Sequence, residues 1–215
     1  MRLSRSDWTE AALAALSESG MAAVAIDPLA GRLGTTKGSF YWHFSNRDEL
    51  IAATLELWEQ RDTAEVIAAI EALPDPRQRL VGLARFAYER AARGSDAQAG
   101  VLTAAADPRV APVLERVTVT RLAFLTRLYT DLGLASELAR RHARLAYTVY
   151  LGIADLRRAA PTWLQPPGEE LEDQLEHTIQ ALTHAAGISS REPGRGETTT
   201  ESRAPHAASP SRDPM

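Results

Sequence analysis

The feature that most constrains this chain is a repeated alternation of helix-forming runs with helix-ending residues. Stretches rich in Ala, Leu, Glu and Arg are broken by Gly and Pro, and no segment sustains the period-two alternation of a half-buried strand. Such a chain buries its apolar stripes helix against helix, so the expected fold class is all-α.

The ends of the helices are written locally. Ser4 or Ser6 can cap a first helix over 7–19, which Gly20 follows. Asp27-Pro28 reads as an N-cap with a proline in the first turn of a short second helix, and Gly34 stops that helix. A third helix follows at once, capped by Thr36 and ending near His43. Asn46 with Glu49 three residues on is a capping-box pattern, opening a helix that runs over 46–72 through Leu50, Ile51, Leu55 and Trp58. Beyond Pro74 and Pro76, helices are expected at 77–93, 96–105, 111–132, 136–158 and 169–186.

The long helices carry apolar stripes. In 111–132 the stripe is Leu114, Val117, Leu125, Leu128 and Leu132, and in the last helix it is Leu171, Leu175, Ile179, Leu182 and Ala186. In 136–158 it is Leu138, Leu145, Val149, Ile153 and Leu156, with His142 on the same stripe. From Ile188 the composition changes, with four prolines and almost nothing apolar in 28 residues. The tail 188–215 is therefore expected to be disordered.

Composition excludes several functions. No run approaches the ~18 apolar residues of a membrane span, and MRLSRSDWTE lacks the apolar core of a secretory signal, so a cytoplasmic protein is expected. The absence of cysteine excludes disulfides, thiolate metal sites and cysteine nucleophiles. No glycine-rich phosphate loop is present. His177 and His184 share a helix face but stand ~10.5 Å apart, too far for one metal ion. No catalytic residue, metal site or cofactor is expected.

The net charge of −4 gives no general attraction for polyanions, so any nucleic-acid contact must come from a local basic face. The stretch GTTKGSFYWHF, 34–44, holds Lys37, the only lysine among 24 basic residues. Two short helices joined by a tight glycine turn, with polar and aromatic residues on the second, form the layout of a helix-turn-helix. In that module the second helix enters the major groove. Residues 7–58 resemble the DNA-binding domain of the TetR family of transcriptional regulators. The resemblance rests on AIDPLAGRLGTTKGSFYWHFSNRDEL, in which Gly34, Lys37-Gly38-Ser39, Tyr41, His43-Phe44 and Asp48-Glu49-Leu50 fall on the family pattern. The family usually has Ser or Thr where Ala25 stands, which puts a phosphate contact from that cap in doubt.

Residue chemistry agrees with the resemblance. Thr35, Thr36 and Ser39 are short hydrogen-bonding side chains for base edges, Lys37 is a point charge for phosphate or guanine, and Gly38 admits close approach of a phosphate. Tyr41, Trp42, His43 and Arg47 are expected on the DNA backbone. Phe40 and Phe44 are expected in the core. His43 also suits the helix C-terminus for its charge alone.

The resemblance implies an N-terminal three-helix helix-turn-helix domain over 1–50, linked through the 46–72 helix to a larger helical effector-binding and dimerisation domain over 51–187. It implies a homodimer through the last two long helices, a double-stranded operator as partner, and a small effector. Phe86, Tyr129, His142 and Tyr147 are the expected lining of an effector cavity, whose ligand would be hydrophobic or aromatic. A helical protein-interaction module without DNA binding is the competing reading, suited to the acidic balance.

Overall fold

The computed structural model of the chain describes residues 3–93, 97–160, 162 and 171–184. Every regular element among them is helical. The expected disordered tail, 188–215, lies outside the described residues.

Helix α1 (Arg5–Ser19) is capped by Ser4 rather than Ser6. The Ser4 main-chain N–H donates to the Asp7 carboxylate at 2.6 Å, and the Asp7 N–H donates back to Ser4 Oγ. Helix α2 (Ile26–Arg32) corrects one expectation: its N-cap is Ala25, with no side-chain cap. Asp27 lies inside the first turn, and its carboxylate accepts from Lys37 Nζ at 3.2 Å. Gly34, at φ 63°, ends α2 in a conformation a side chain would disfavour. There the Thr35 N–H donates to the Ala30 carbonyl and the Gly34 N–H to that of Gly31, a Schellman pair.

Helix α3 (Lys37–Phe40) is a single turn that tightens into i→i+3 bonds, His43 N–H donating to the Phe40 carbonyl at 2.9 Å. Thr36 precedes it in extended conformation without a side-chain cap. In helix α4 (Arg47–Glu59), Asn46 accepts from the Glu49 N–H, but the Glu49 carboxylate reaches the N–H of Ser45, so only half of the capping box forms.

The expected 46–72 helix is one path with an interruption. A π-helical turn, Gln60–Ala64, separates α4 from α5 (Glu65–Glu71). Then follow α6 (Pro76–Arg93), α7 (Gln98–Leu102), α8 (Ala111–Asp131), α9 (Ser136–Ala159) and α10 (Leu171–His184). No described helix is long and apolar enough to cross a membrane.

Two apolar clusters hold the chain. The first contains Trp8, Leu16, Leu29, Phe40, Phe44, Leu50, Leu55 and Trp58, and it is completed from far along the chain by Ala97, Val101, Val110 and Val117. Each such large side chain contributes roughly 1.5–3 kcal/mol on burial. Helix α7 lies so close to α1 that a Cβ on Gly100 would stand 2.2 Å from the Leu16 carbonyl oxygen. The second cluster gathers Leu80, Tyr88, Phe124, Leu128, Tyr129, Tyr147, Tyr150, Ile179 and Leu182 from α6, α8, α9 and α10.

Helix α9 has two apolar faces. Its core face is made of small and aromatic residues, Ala139, His142, Ala143, Ala146, Tyr147, Tyr150 and Ala154. Leu138 and Leu145 are 45 % and 48 % exposed on the other side. The stripe read from leucine spacing is thus only in part a core face: Val149 and Ile153 pack against the second cluster, Leu138 and Leu145 are exposed, and His142 does not share their exposure. In α10, Ile179 and Leu182 are buried inside this chain's own second cluster, not on a face left for a partner.

Candidate nucleic-acid interface and interior cavity

The helix-turn-helix sorts its aromatics by depth. Phe40 is fully buried, edge-on to Trp8 at 5.3 Å and stacked with Phe44 at 5.5 Å. These rings pin α3 against α1 and α4. The Arg5 guanidinium covers Phe44 at 4.1 Å, donates to the His43 carbonyl and pairs with Glu49, closing the back of the unit.

With Phe40 and Phe44 turned inward, the intervening residues turn outward. Trp42 is 84 % exposed and Tyr41 54 %. Thr36, Lys37 and Gly38 are exposed beside them, whereas Thr35, Ser39 and His43 are half-buried. A Cβ at Gly38 would meet only Thr36 Oγ1, at an ordinary 3.6 Å, so the chain's own packing does not require glycine there. The Lys37–Asp27 pair is exposed on both sides, and such pairs contribute about 0–1 kcal/mol. A phosphate could displace Asp27 at little cost.

Arg47 departs from its expected role. Its Nε donates to the Val24 carbonyl at 2.6 Å and one Nη to that of Met21 at 3.1 Å. The guanidinium satisfies the carbonyls of the 3₁₀ turn Met21–Ala23 and its successor, tying the start of α4 to the approach of α2. In this conformation the guanidinium serves the fold.

A second site lies in the other cluster. A cavity of about 90 Å³ is walled by α5, α6, α8, α9 and α10 and by the π turn. Its walls are largely carbon, and Phe86, Tyr129 and Tyr147 are among its lining residues. Phe86, 40 % exposed and capped by the Arg90 guanidinium at 5.2 Å, stands where the cavity meets a surface groove beside α5. The fourth expected member is corrected: His142 is not in the lining. It is buried behind Tyr129, ring centroids 5.4 Å apart, because α9 turns it toward α8. Among the described residues neither His142 Nδ1 nor the Tyr129 hydroxyl has a hydrogen-bond partner, and burial raises the Tyr129 phenol to about 12. The Tyr88 hydroxyl donates to the Ala146 carbonyl, and burial likewise raises it.

Sequence reasoning missed Arg121. This residue of α8 holds the π turn, donating to Thr63 Oγ1 and to the Asp62 carbonyl, each at 2.9 Å. Its third hydrogen bond goes to Gln98 Oε1 at 2.6 Å, and its guanidinium faces the Trp58 and Tyr150 rings. Asp62, in the same turn, accepts from Arg90 at 2.9 Å. An arginine amid an amphipathic helix, 58 residues from its partner, carries no local signal.

Residues 9–54 match the family model described as bacterial regulatory proteins, tetR family. No curated protein matches the chain. Among solved structures, a transcriptional regulator from Rhodococcus sp. Rha1 is similar at TM-score 0.65 and 21 % identity, over 85 % of this chain and 97 % of that one. A TetR-type regulator from Streptomyces avermitilis is similar at TM-score 0.62 and 20 % identity, over 86 % and 98 %. AibR, solved in complex with isovaleryl coenzyme A and operator DNA, is similar at TM-score 0.61 and 15 % identity, over 82 % and 96 %. At these identities the likeness to solved structures is one of fold.

Proposed function

We propose that this chain, a DNA-binding transcriptional regulator of the TetR family, acts as a repressor: a homodimer holding a palindromic operator until a small molecule enters its interior cavity. The observation that carries the DNA reading is the exposure of Tyr41 and Trp42 beside Lys37, while Phe40 between them is fully buried. Large aromatics left in water serve no core, and a lysine whose carboxylate partner is fully replaceable is suited to phosphate. Lys37, Gly38, Tyr41 and Trp42 make the principal contacts, with Thr35, Thr36, Ser39 and His43 around them. The backbone groups position the duplex and the short polar side chains read it.

The homodimer is supported by the outward face of α9, where Leu138 and Leu145 stand one heptad apart and nearly half exposed. A second copy covers this face by two-fold symmetry, and a two-fold protein reads a two-fold site. The effector reading is supported by a carbon-walled cavity sharing the π turn that continues α4, the helix that closes the DNA-binding unit. Phe86, Tyr129 and Tyr147 contribute to its wall.

The test is a fluorescence-anisotropy titration of DNA from upstream of the protein's own gene, across a salt series. Wild type is expected to bind it above unrelated DNA. Lys37→Ala and Tyr41→Ala weaken binding without loss of helicity, and Lys37→Ala lowers the salt slope by about one. Equal binding of upstream and unrelated DNA by wild type would replace the operator reading with that of an interaction module.

A further inference from the structure

The charges around the cavity do not balance. Among the described residues, three of the lining are charged, Asp62, Arg90 and Arg121, one carboxylate with two guanidiniums. The Asp62 carboxylate is taken by Arg90. Arg121 meets only neutral acceptors, the Thr63 hydroxyl, the Gln98 amide oxygen and the Asp62 main-chain carbonyl, and the faces of two aromatic rings. Among the described residues no carboxylate forms an ion pair with it.

A guanidinium cannot lose its proton to escape this setting, and its fork offers five N–H groups. Three are spent, leaving two. A half-buried cation in a carbon-walled space is stabilised by an anion far more than by another neutral dipole. The Tyr129 hydroxyl, the unpartnered polar atom of the lining, is neutral and cannot answer the charge.

We propose that the cavity takes a small apolar carboxylic acid as its anion, the carboxylate on the free donors of Arg121 and the hydrocarbon body among Leu83, Leu125, Tyr147 and Ile179. This rests on the effector reading and adds the ligand's chemical class. The acid group lies at the π-turn end, because that is where the uncompensated charge is. Arg121 holds Thr63 and Asp62 with the same guanidinium, so occupancy acts directly on the junction between α4 and α5.

The experiment compares octanoate and 3-phenylpropionate with their uncharged counterparts, octanamide and 3-phenylpropanamide, by calorimetric titration of the full chain at pH 7. At least one acid is expected to bind, with its amide about tenfold weaker or worse, as a lost charge-assisted pair implies. Arg121→Lys keeps a preference for the acid and Arg121→Met abolishes it while retaining the amide. Should Arg121→Met fail to fold, the wild-type comparison of acid with amide decides alone. Amides binding as well as the acids would overturn the anion assignment and leave the effector cavity standing. Binding of no compound of either class would count against both.

Discussion

Gly100 offers the sharpest test of how α7 closes the first cluster against α1. In an ordinary helix, Gly→Ala stabilises by up to about 1 kcal/mol, because alanine loses less backbone freedom on folding. At Gly100 the new methyl carbon would stand 2.2 Å from the Leu16 carbonyl oxygen and 3.6 Å from Ser17 Cα. The first contact is with main chain, so no side chain can rotate away. Helices α1 and α7 must separate by roughly 1 Å, a shift of the kind that overpacked cores resist at about 1–3 kcal/mol. Because main chain cannot yield, the cost lies toward the upper end of that range and outweighs the propensity gain, leaving a net loss of about 1–2 kcal/mol. For a chain of this size that corresponds to a fall of roughly 2–8 °C in Tm. Gly31 is the internal control: an added Cβ there meets nothing within 4 Å, so Gly31→Ala is expected to hold or raise Tm. Thermal melts of both variants followed by circular dichroism measure the difference. A Gly100→Ala protein as stable as wild type would refute the close seating of α7 on α1.

Three other outcomes are expected. Gly38→Ala should leave Tm unchanged or slightly raised, since its Cβ meets only an ordinary contact, yet weaken operator binding in the anisotropy assay; unchanged affinity would remove the close phosphate approach at that position. Leu145→Glu should leave a folded monomer by analytical ultracentrifugation, because the side chain is nearly half exposed in the single chain; a dimer of wild-type stability would move the interface off α9. The Asp107 carboxyl is held at about 2, below its ordinary 3.8, by hydrogen bonds from the Arg109 side chain and N–H. A depressed carboxylate contributes stability above its unfolded pKa and loses it as pH falls through its folded one. Asp107→Asn should therefore lower Tm at pH 7, with the gap closing toward pH 2, and a gap constant over that range would exclude this linkage.

What could be read from the residues alone was whatever depends on neighbours a few positions away. Ser4 and Asp7 cap α1, Asn46 opens α4, and Gly34 ends α2 at positive φ, each through bonds spanning six residues or fewer. The helix-turn-helix was legible for the same reason, since its turn and its alternation of buried and exposed aromatics are local. Asp27 was misread as a cap: α2 starts at Ile26, and the Asp27 carboxylate accepts from Lys37, beyond that range. Arg47 could not be separated from a DNA-contacting arginine by spacing, because the carbonyls that hold it belong to Met21 and Val24, in a different turn. Leucine spacing in α9 located an apolar face but not which face the core would take. Small alanines allow the close approach of α8, so they took the inside and left Leu138 and Leu145 out. The π turn and the charge imbalance at Arg121 arise only when α8 is laid against residues 58 positions earlier in the chain. Caps and turns are settled by bonds the chain makes with itself nearby. The cavity and its unanswered charge exist only where distant helices meet, and tertiary packing alone decided them.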